Sequence, residues 1–208
     1  MHESWIGGDE VSRYPKQLRQ LLGEVDKHEM TILKDDGLYR HLRFKRPGSS
    51  LYWFDIITWP WHLVIDGDLE SFHFSREEDM FPWFESSGDI NPDYWAEKLR
   101  GPTASVTYSP ELFKRAVFER FWEDREHRSD RGLENAPLWR EIRRDLMDIA
   151  EWGEEHVRAA LRDFQFDKYV FTDSYDMNFR ELDHHYLLSC HAINWGIRKY
   201  RAAQAVAA

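Results

Sequence analysis

The segment from Gly37 to Phe84 constrains the fold of this chain more than any other part of the sequence. Apolar and polar residues alternate from Leu38 to Lys45, which is the pattern of a strand with one buried face. Residues 51–59 are apolar nearly throughout, as in a central strand covered on both faces. Pro47-Gly48 is a turn signal, and Asp66-Gly67 indicates the two-residue turn of a hairpin. The segment therefore predicts an antiparallel β-meander.

Helical patterns dominate the rest of the chain, so the predicted fold class is α+β. We expect a small antiparallel β-meander over about residues 29–75, packed against several helices that lie mainly on one side. The last helix is predicted from about Asn178 to Ala202, where apolar residues recur every three or four positions. We expect a single α+β domain over residues 1–208, with the sheet in about 1–100 and a mainly helical part in about 101–208.

The charge of the chain narrows the classes of function. Acidic residues outnumber lysine and arginine, and the net charge is −10. Because lysine and arginine drive attraction to phosphate backbones, this charge disfavours direct DNA binding. Solubility, a basic partner and imitation of the charge of a nucleic acid stay open as meanings of the acidity. The 10 tryptophans are enough for an aromatic core that also exposes a few anchors to a partner.

The cysteine count and the apolar runs indicate the compartment. Cys190 is the single cysteine, so no internal disulfide can form, and a reducing cytosol is the natural setting. The residues at the start of the chain lack the basic-then-apolar pattern of a secretory signal. No apolar run approaches the ~18 residues of a membrane span. We therefore expect a soluble cytosolic protein without membrane attachment.

The first set of candidate binding residues is a basic run in the predicted sheet. It consists of Arg40, His41, Arg43 and Lys45, and it is followed directly by Arg46. Strand alternation places His41, Arg43 and Lys45 on one face, where they could bind a phosphate or a single-stranded nucleic acid. No glycine-rich phosphate loop accompanies the run. A solvated sheet face, or a face paired with acidic helices of the same chain, is the simpler interpretation.

Asp55 is the other candidate binding residue within the sheet. It lies inside an apolar strand, where a buried carboxylate must be paired or protonated. It is either the partner of Arg40 or Arg43 across the sheet or a functional acid, and the structural pairing is the favoured interpretation. His62 or His73 could complete an acid–base pair with it, although no spacing in the sequence requires this.

Acidic clusters on the predicted helices form the second set of candidate binding residues. These are Glu123, Asp124, Glu151, Glu154 and Glu155. Helix-borne carboxylates of this kind can imitate a run of phosphates and so occupy a nucleic-acid site on a partner. They can equally be the solvated faces of their helices, which is the usual meaning of such clusters.

Histidines near the end of the chain are the best candidates for metal ligands, but they do not form a site. On a helix, Glu181 and His184 share a face, as in carboxylate-bridged metal centres. His184 and His191 are separated by about 10 Å along a helix axis, so one ion cannot reach both. Cys190 has apolar neighbours and is expected to be a buried, inert thiol. We expect no metal, no cofactor and no catalytic residue.

Five segments of the sequence resemble accessory proteins encoded by bacteriophages and prophages. These segments are Tyr39–Lys45 (YRHLRFK), Thr58–Pro60 (TWP), Gly67-Asp68, Asp79–Phe81 (DMF) and the closing stretch Cys190–Tyr200 (CHAINWGIRKY). The resemblance implies a viral accessory protein that acts in the cytoplasm of a bacterial host. Small acidic phage proteins of this kind are often inhibitors of host defence, and anti-CRISPR proteins are among them.

The leading hypothesis from the sequence is a non-enzymatic, phage-encoded inhibitor. It binds a host protein or ribonucleoprotein complex through acidic and aromatic surfaces, and whether it forms a homodimer stays open. The first alternative is an enzyme that processes nucleotides or nucleic acids with the basic strand face and nearby carboxylates. The second alternative is a phage structural or assembly protein, which the charge of the chain disfavours.

Overall fold

The computed structural model of this chain describes residues 12–86, 88–125 and 134–207. Contacts within the chain divide it into two compact units. The sheet unit contains the described residues up to Ser105 together with those from Leu182 onward, and the helical unit is Val106–Glu181. The C-terminal helix therefore belongs with the sheet, whereas the sequence analysis counted it in the mainly helical part.

The sheet unit is built on five antiparallel strands that follow one another across the sheet in chain order. They are β1 (Glu29–Asp36), β2 (Tyr39–Lys45), β3 (Phe54–Trp59), β4 (His62–Gly67) and β5 (Phe72–Ser75). Each strand pairs with the next. The predicted β-meander over about residues 29–75 is confirmed, and with it the α+β class.

The turn predicted at Asp66-Gly67 is wrong. β4 continues through both residues, and Asp66 pairs with a residue of β3. The predicted hairpin is formed by β4 and β5, but the chain reverses later, over residues 68–71. The preceding reversal, between β3 and β4, is at Pro60 and Trp61, where Trp61 adopts a φ of 75°. Gly67 is required for a close approach instead, since a Cβ there would lie 2.4 Å from the carbonyl oxygen of Trp53.

The described residues contain seven α-helices. They are α1 (Pro15–Val25), α2 (Met80–Glu85), α3 (Pro92–Ala96), α4 (Pro110–Glu123), α5 (Asn135–Ile142), α6 (Glu154–Asp163) and α7 (His184–Ala207). None of them is both long enough and apolar enough to cross a bilayer. The first three and the last belong to the sheet unit, and α4, α5 and α6 belong to the helical unit.

One face of the sheet forms the core of the sheet unit with these four helices. The strand residues that are buried there are Leu42, Phe44, Phe54, Ile56, Leu63, Ile65, Phe72 and Phe74. Helix α7 packs closely on this face, because a Cβ on Gly196 would lie 2.6 Å from Cδ1 of Ile56 and 3.0 Å from Cε2 of Phe44. The helix can approach the sheet this closely only where it carries a glycine.

Helix α7 begins later than the sequence analysis predicted. Its first residue is His184, and residues 180–182 form a short strand, β9. Asp183 sets the start of the helix, because its Oδ1 accepts hydrogen bonds from two backbone N–H groups of the first turn, at 2.8 and 3.0 Å. The helix then runs to Ala207, beyond the predicted end at Ala202.

The helical unit has a separate core formed by its three helices and a few short strands. The buried helix residues are Phe113, Val117, Phe121, Leu138, Ile142, Val157 and Leu161. Two small ladders accompany them: β6 (Val106–Tyr108) pairs with β9, and β7 (Gln165–Phe166) pairs with β8 (Tyr169–Val170). Helix α5 continues directly into a π-helical turn, Arg143–Met147. Such turns are rare and occur frequently at functional sites.

Candidate functional site

The sheet face that points away from the core carries the polar residues predicted from the alternation of β2. Leu42 and Phe44 are buried on the core face, and His41 and Arg43 lie on the opposite face. Lys45 is exposed at the end of the same strand. This second face of the sheet is called the outer face below.

Asp55 is the centre of the outer face. Arg43 donates two hydrogen bonds to it, from Nε to Oδ1 at 2.9 Å and from Nη2 to Oδ2 at 2.8 Å. Nε2 of His41 lies 2.7 Å from Oδ2 of the same carboxylate. Asp55 is only 5% exposed, whereas the side chains of His41 and Arg43 are partly exposed. Of the two arginines proposed as its partner, the structure selects Arg43.

Two opposing effects determine the pKa of Asp55. Burial is the largest and favours the protonated acid, but hydrogen bonds from Arg43 and His41, together with their charges, outweigh it. The pKa of Asp55 therefore lies below its ordinary value of 3.8. The same hydrogen bond raises the pKa of Arg43. Asp55 is thus a carboxylate that orients His41, and the imidazole can interact with a ligand through its other nitrogen, Nδ1.

Arg40 lies on the core face, although the sequence analysis grouped it with His41 and Arg43. Its Nη1 and Nη2 donate to Oδ1 and Oδ2 of Asp79, at 2.8 and 3.0 Å. Its guanidinium carbon lies 4.6 Å from the centre of the Phe81 ring. Asp79 also caps helix α2 by accepting a hydrogen bond from the backbone N–H of Phe81. Arg40 therefore joins β2 to the start of α2 and is not part of the outer face.

Two histidines and a tryptophan form a second group on the outer face. Nδ1 of His62 lies 2.9 Å from Nε2 of His73, and the ring of Trp59 stacks on His62 at 4.8 Å. Burial, assisted by the charges of His62 and Arg100, lowers the pKa of His73. In the sequence, each histidine was a candidate partner of Asp55. They contact each other instead, as diagonal neighbours on β4 and β5, where His62 is opposite Ser75 and His73 is opposite Val64.

The histidines of the C-terminal region do not form a metal site. His191 is buried, and burial lowers the pKa of its imidazole, whereas His184 is partly exposed in the first turn of α7. In the part of the chain that the structure describes, no three His, Cys, Asp or Glu side chains are grouped to hold an ion. Cys190 is buried as expected, and burial raises the pKa of its thiol.

Glu154 is the most constrained of the acidic candidates. Its Oε1 accepts from Nε of Arg158 at 2.9 Å, and its Oε2 accepts from Nε of Arg180 at 2.7 Å. Burial opposes its ionisation, but these two arginines outweigh that effect and lower its pKa. Its neighbour Glu155 is exposed. Glu154 therefore holds α6 to the strand that carries Arg180, and its charge is balanced within the helical unit.

Two further acidic candidates also form ion pairs within the helical unit. Oε1 of Glu151 lies 2.9 Å from Nζ of Lys114, and Oδ2 of Asp124 lies 3.3 Å from Nε of Arg120. Glu123, the last residue of α4, is exposed. Of the five acidic candidates, Glu123 and Glu155 are therefore the two with the most accessible charge.

An exposed group of aromatic residues lies in the helical unit and was missed by the sequence analysis. Phe118 and Trp122 are 45% and 48% exposed, and their ring centres are 5.9 Å apart. The ring of Trp139, which is partly buried, lies 5.7 Å from Phe118. Phe121 is buried and contacts Trp139 at 4.9 Å. Phe118, Trp122 and Trp139 are called the aromatic cluster below.

The sequence contains a signal for part of this cluster. The buried face of α4 is formed by Phe113, Val117 and Phe121. Phe118 and Trp122 are four residues apart, so they are neighbours on the helix surface. Each follows a buried residue directly, which places the pair about 100° away from the buried face. Large aromatic residues at such positions indicate a contact outside the core of their own helix pair.

Comparisons with known proteins supply no relative from which a function could be transferred. The chain matches no family model, no curated protein and no solved structure at a significant level. The phage resemblance of the sequence segments therefore stays a prediction. A function has to be inferred from the chemistry of the surfaces described above.

Proposed function

We propose that this protein is a phage-encoded accessory protein that binds a bacterial defence complex without catalysing a reaction, in the manner of an anti-CRISPR protein. The aromatic cluster carries this proposal and is the contact surface that we assign. Aromatic side chains supply a large part of the binding energy at protein interfaces. A contiguous exposed apolar patch that is surrounded by polar or charged residues commonly marks such an interface.

Acidic residues of α4 lie on one side of the aromatic cluster and indicate the chemistry of the partner surface that meets this side. Glu119 and Glu123 directly follow Phe118 and Trp122 on α4, and both are exposed. The chain as a whole has a net charge of −10. A partner with a basic surface, such as a complex that binds RNA or DNA, meets this rim with complementary charge. Complementary charge accelerates the encounter, and the aromatic contacts then slow dissociation.

The outer face of the sheet supports an enzyme less well. Arg40 is on the core face, so the predicted basic strand loses one of its cations. Arg43 and Asp55 already balance each other's charge. What is left is the partly exposed His41 and the exposed Lys45 at the end of the strand, and these two side chains do not bind a phosphate firmly. A structural role in the virion also stays a prediction, and association with purified virions tests it.

The proposal is tested by removing the aromatic contacts. The tagged protein is used to isolate its partner from a host lysate, and the affinity is then measured with the purified partner. The double substitution Phe118→Ala and Trp122→Ala is expected to weaken binding about 30-fold or more, since a hot-spot residue contributes about 2 kcal/mol or more. Tyr175→Ala, at another exposed aromatic residue of the same unit, is the matched control and is expected to bind normally.

Two results would contradict the proposal. One is that no protein is recovered in a stoichiometric complex. The other is that the double variant, with an unchanged circular dichroism spectrum, binds as tightly as the parent protein. The acidic rim gives an independent check, because the association rate should fall as the salt concentration rises.

A further inference from the structure

A basic cleft lies beside the aromatic cluster in the helical unit. It has a volume of about 460 Å³ and is lined by Ala136, Trp139, Arg140, Arg143, Arg144 and Asp148. Half of these residues are arginines, although the chain as a whole is strongly acidic. The cleft is largely open to solvent.

Helix α5 and the π-helical turn that follows it place these residues on one side of the helix. Ala136 and Arg140 are four residues apart on α5, and so are Trp139 and Arg143, so each pair consists of surface neighbours. In the π-helical turn, the backbone N–H of Asp148 donates to the carbonyl oxygen of Arg143 at 3.0 Å. Asp148 therefore lies one turn beyond Arg143 on the same side.

Two of the three arginines are available to a ligand. Arg144 is neutralised by an ion pair with Glu141 and by two hydrogen bonds to Asp145, at 2.6 and 3.0 Å. Arg140 and Arg143 are exposed, and within the described ranges neither forms an ion pair with a carboxylate. Two neighbouring guanidinium groups that form no ion pair attract an anion, although the carboxylate of Asp148 lines the same cleft, and their planar donors match a phosphate.

We propose that this cleft binds a nucleoside monophosphate. Arg140 and Arg143 hold the phosphate, and the indole of Trp139 stacks on the base, since every base presents a π face to an aromatic side chain. Trp139 and Arg143 differ by one helical turn, about 6 Å along the axis, so one nucleotide reaches both. Beyond Arg143 the cleft offers no further positive charge, because Arg144 is neutralised and Asp148 is acidic. This limited charge favours a single phosphate over a chain of phosphates or a nucleic-acid strand.

The nucleotide site and the partner surface share Trp139, but they can be tested separately. The substitutions of Phe118 and Trp122 leave Arg140 and Arg143 in place, and substitutions of the arginines leave both exposed aromatic residues in place. Loss of nucleotide binding therefore does not depend on whether the protein has a defence complex as its partner.

The test is isothermal titration calorimetry of the full chain with adenosine and guanosine monophosphate. Arg140→Gln and Arg143→Gln are each expected to weaken binding about tenfold or more, because each removes charge-assisted hydrogen bonds to the phosphate. Arg143→Lys should retain part of the affinity, since lysine keeps the charge but not the planar fork. Arg162→Gln, at an exposed arginine of α6, is the matched control and should bind as the parent does.

Ligand variation tests the two halves of the site. Adenosine and inorganic phosphate should each bind at least about tenfold more weakly than the monophosphate, because each makes only part of the contacts. Trp139→Leu should weaken the nucleotide but not inorganic phosphate, and if this variant does not fold, the adenosine titration alone tests the base contact. Three results would overturn the proposal. They are the absence of nucleotide binding at millimolar concentration, binding by both glutamine variants that equals that of the parent protein, and binding of a single-stranded oligonucleotide that is tighter than that of the monophosphate.

Discussion

The Arg40–Asp79 pair offers the most direct test of how the sheet unit is held together. Asp79 has two roles: it receives two hydrogen bonds from Arg40, and it caps α2 through the N–H of Phe81. The side chain of Arg40 is 9% exposed and that of Asp79 is 28% exposed. Asp79→Ala therefore leaves a buried guanidinium without a counter-charge and removes a helix cap in one step.

The expected cost of Asp79→Ala follows from these two roles. Breaking a buried ion pair by removing one partner costs about 3–5 kcal/mol, and the partial exposure of Asp79 favours the lower end. Loss of the cap adds about 1 kcal/mol, so the total is about 4 kcal/mol. Asp79→Asn keeps the capping oxygen and should cost about 3 kcal/mol. Arg40→Met should cost only about 1 kcal/mol, because the carboxylate that stays unpaired, Asp79, is partly exposed to water and keeps its cap, while methionine packs on Phe81.

The assay is urea unfolding followed by circular dichroism, with hydrogen–deuterium exchange of peptides from β2 and α2 to report on the sheet unit itself. Combining Arg40→Met with Asp79→Asn completes a double-mutant cycle. The double variant is expected to be more stable than Asp79→Asn alone, because the orphaned cation has been removed. A double variant that is less stable than Asp79→Asn, or an Asp79→Ala variant within about 1 kcal/mol of the parent, would refute the reasoning.

Two other predictions concern stability. Gly196→Ala should lower the free energy of unfolding by about 1–3 kcal/mol, because the new methyl group overlaps side chains of the sheet core. Gly23→Ala, with open space around it, should raise the free energy of unfolding by about 0.5–1 kcal/mol. Equal effects of the two substitutions in urea titrations would contradict this. Stability should fall as pH drops below about 6.5, because buried His191, together with the less buried His28 and His73, resists protonation in the folded state. Stability should fall again below about 4, where Asp55 loses its paired charge. In urea titrations across this range, His191→Gln should reduce the first fall, and an unchanged first fall would be inconsistent with the role of His191.

Local signals were sufficient to predict the sheet. Alternation along β2, the apolar run of β3 and the glycine-containing turns act within a few residues of one another, so they can be recognised from the chain alone. The turn of the hairpin between β4 and β5 was placed too early, because Asp66-Gly67 has the composition of a turn although β4 continues through both residues. Gly67 is a glycine for a different reason, the close approach of Trp53, which only the packed strands create.

The candidate site was predictable only in part. Alternation alone puts Arg40 on the side of Leu42 and Phe44, so its place on the core face could have been expected from the parity of the strand. That it meets Asp79 could not, because 39 residues separate the two. The aromatic cluster is similar: its α4 members are adjacent on one helix, but the contact with Trp139 depends on how α4 and α5 pack.

The sequence by itself determined the α+β class, the order of the strands and the face on which His41 and Arg43 lie. These properties depend on backbone periodicity and turn chemistry, which are local. The tertiary structure alone decided which charges are balanced and which are left for a ligand or a partner. Glu154 is neutralised by Arg180, 26 residues away, whereas Arg140 and Arg143 form no ion pair among the described residues. Ion pairs depend on distances of a few ångströms in the packed molecule, and those distances have no counterpart in sequence spacing.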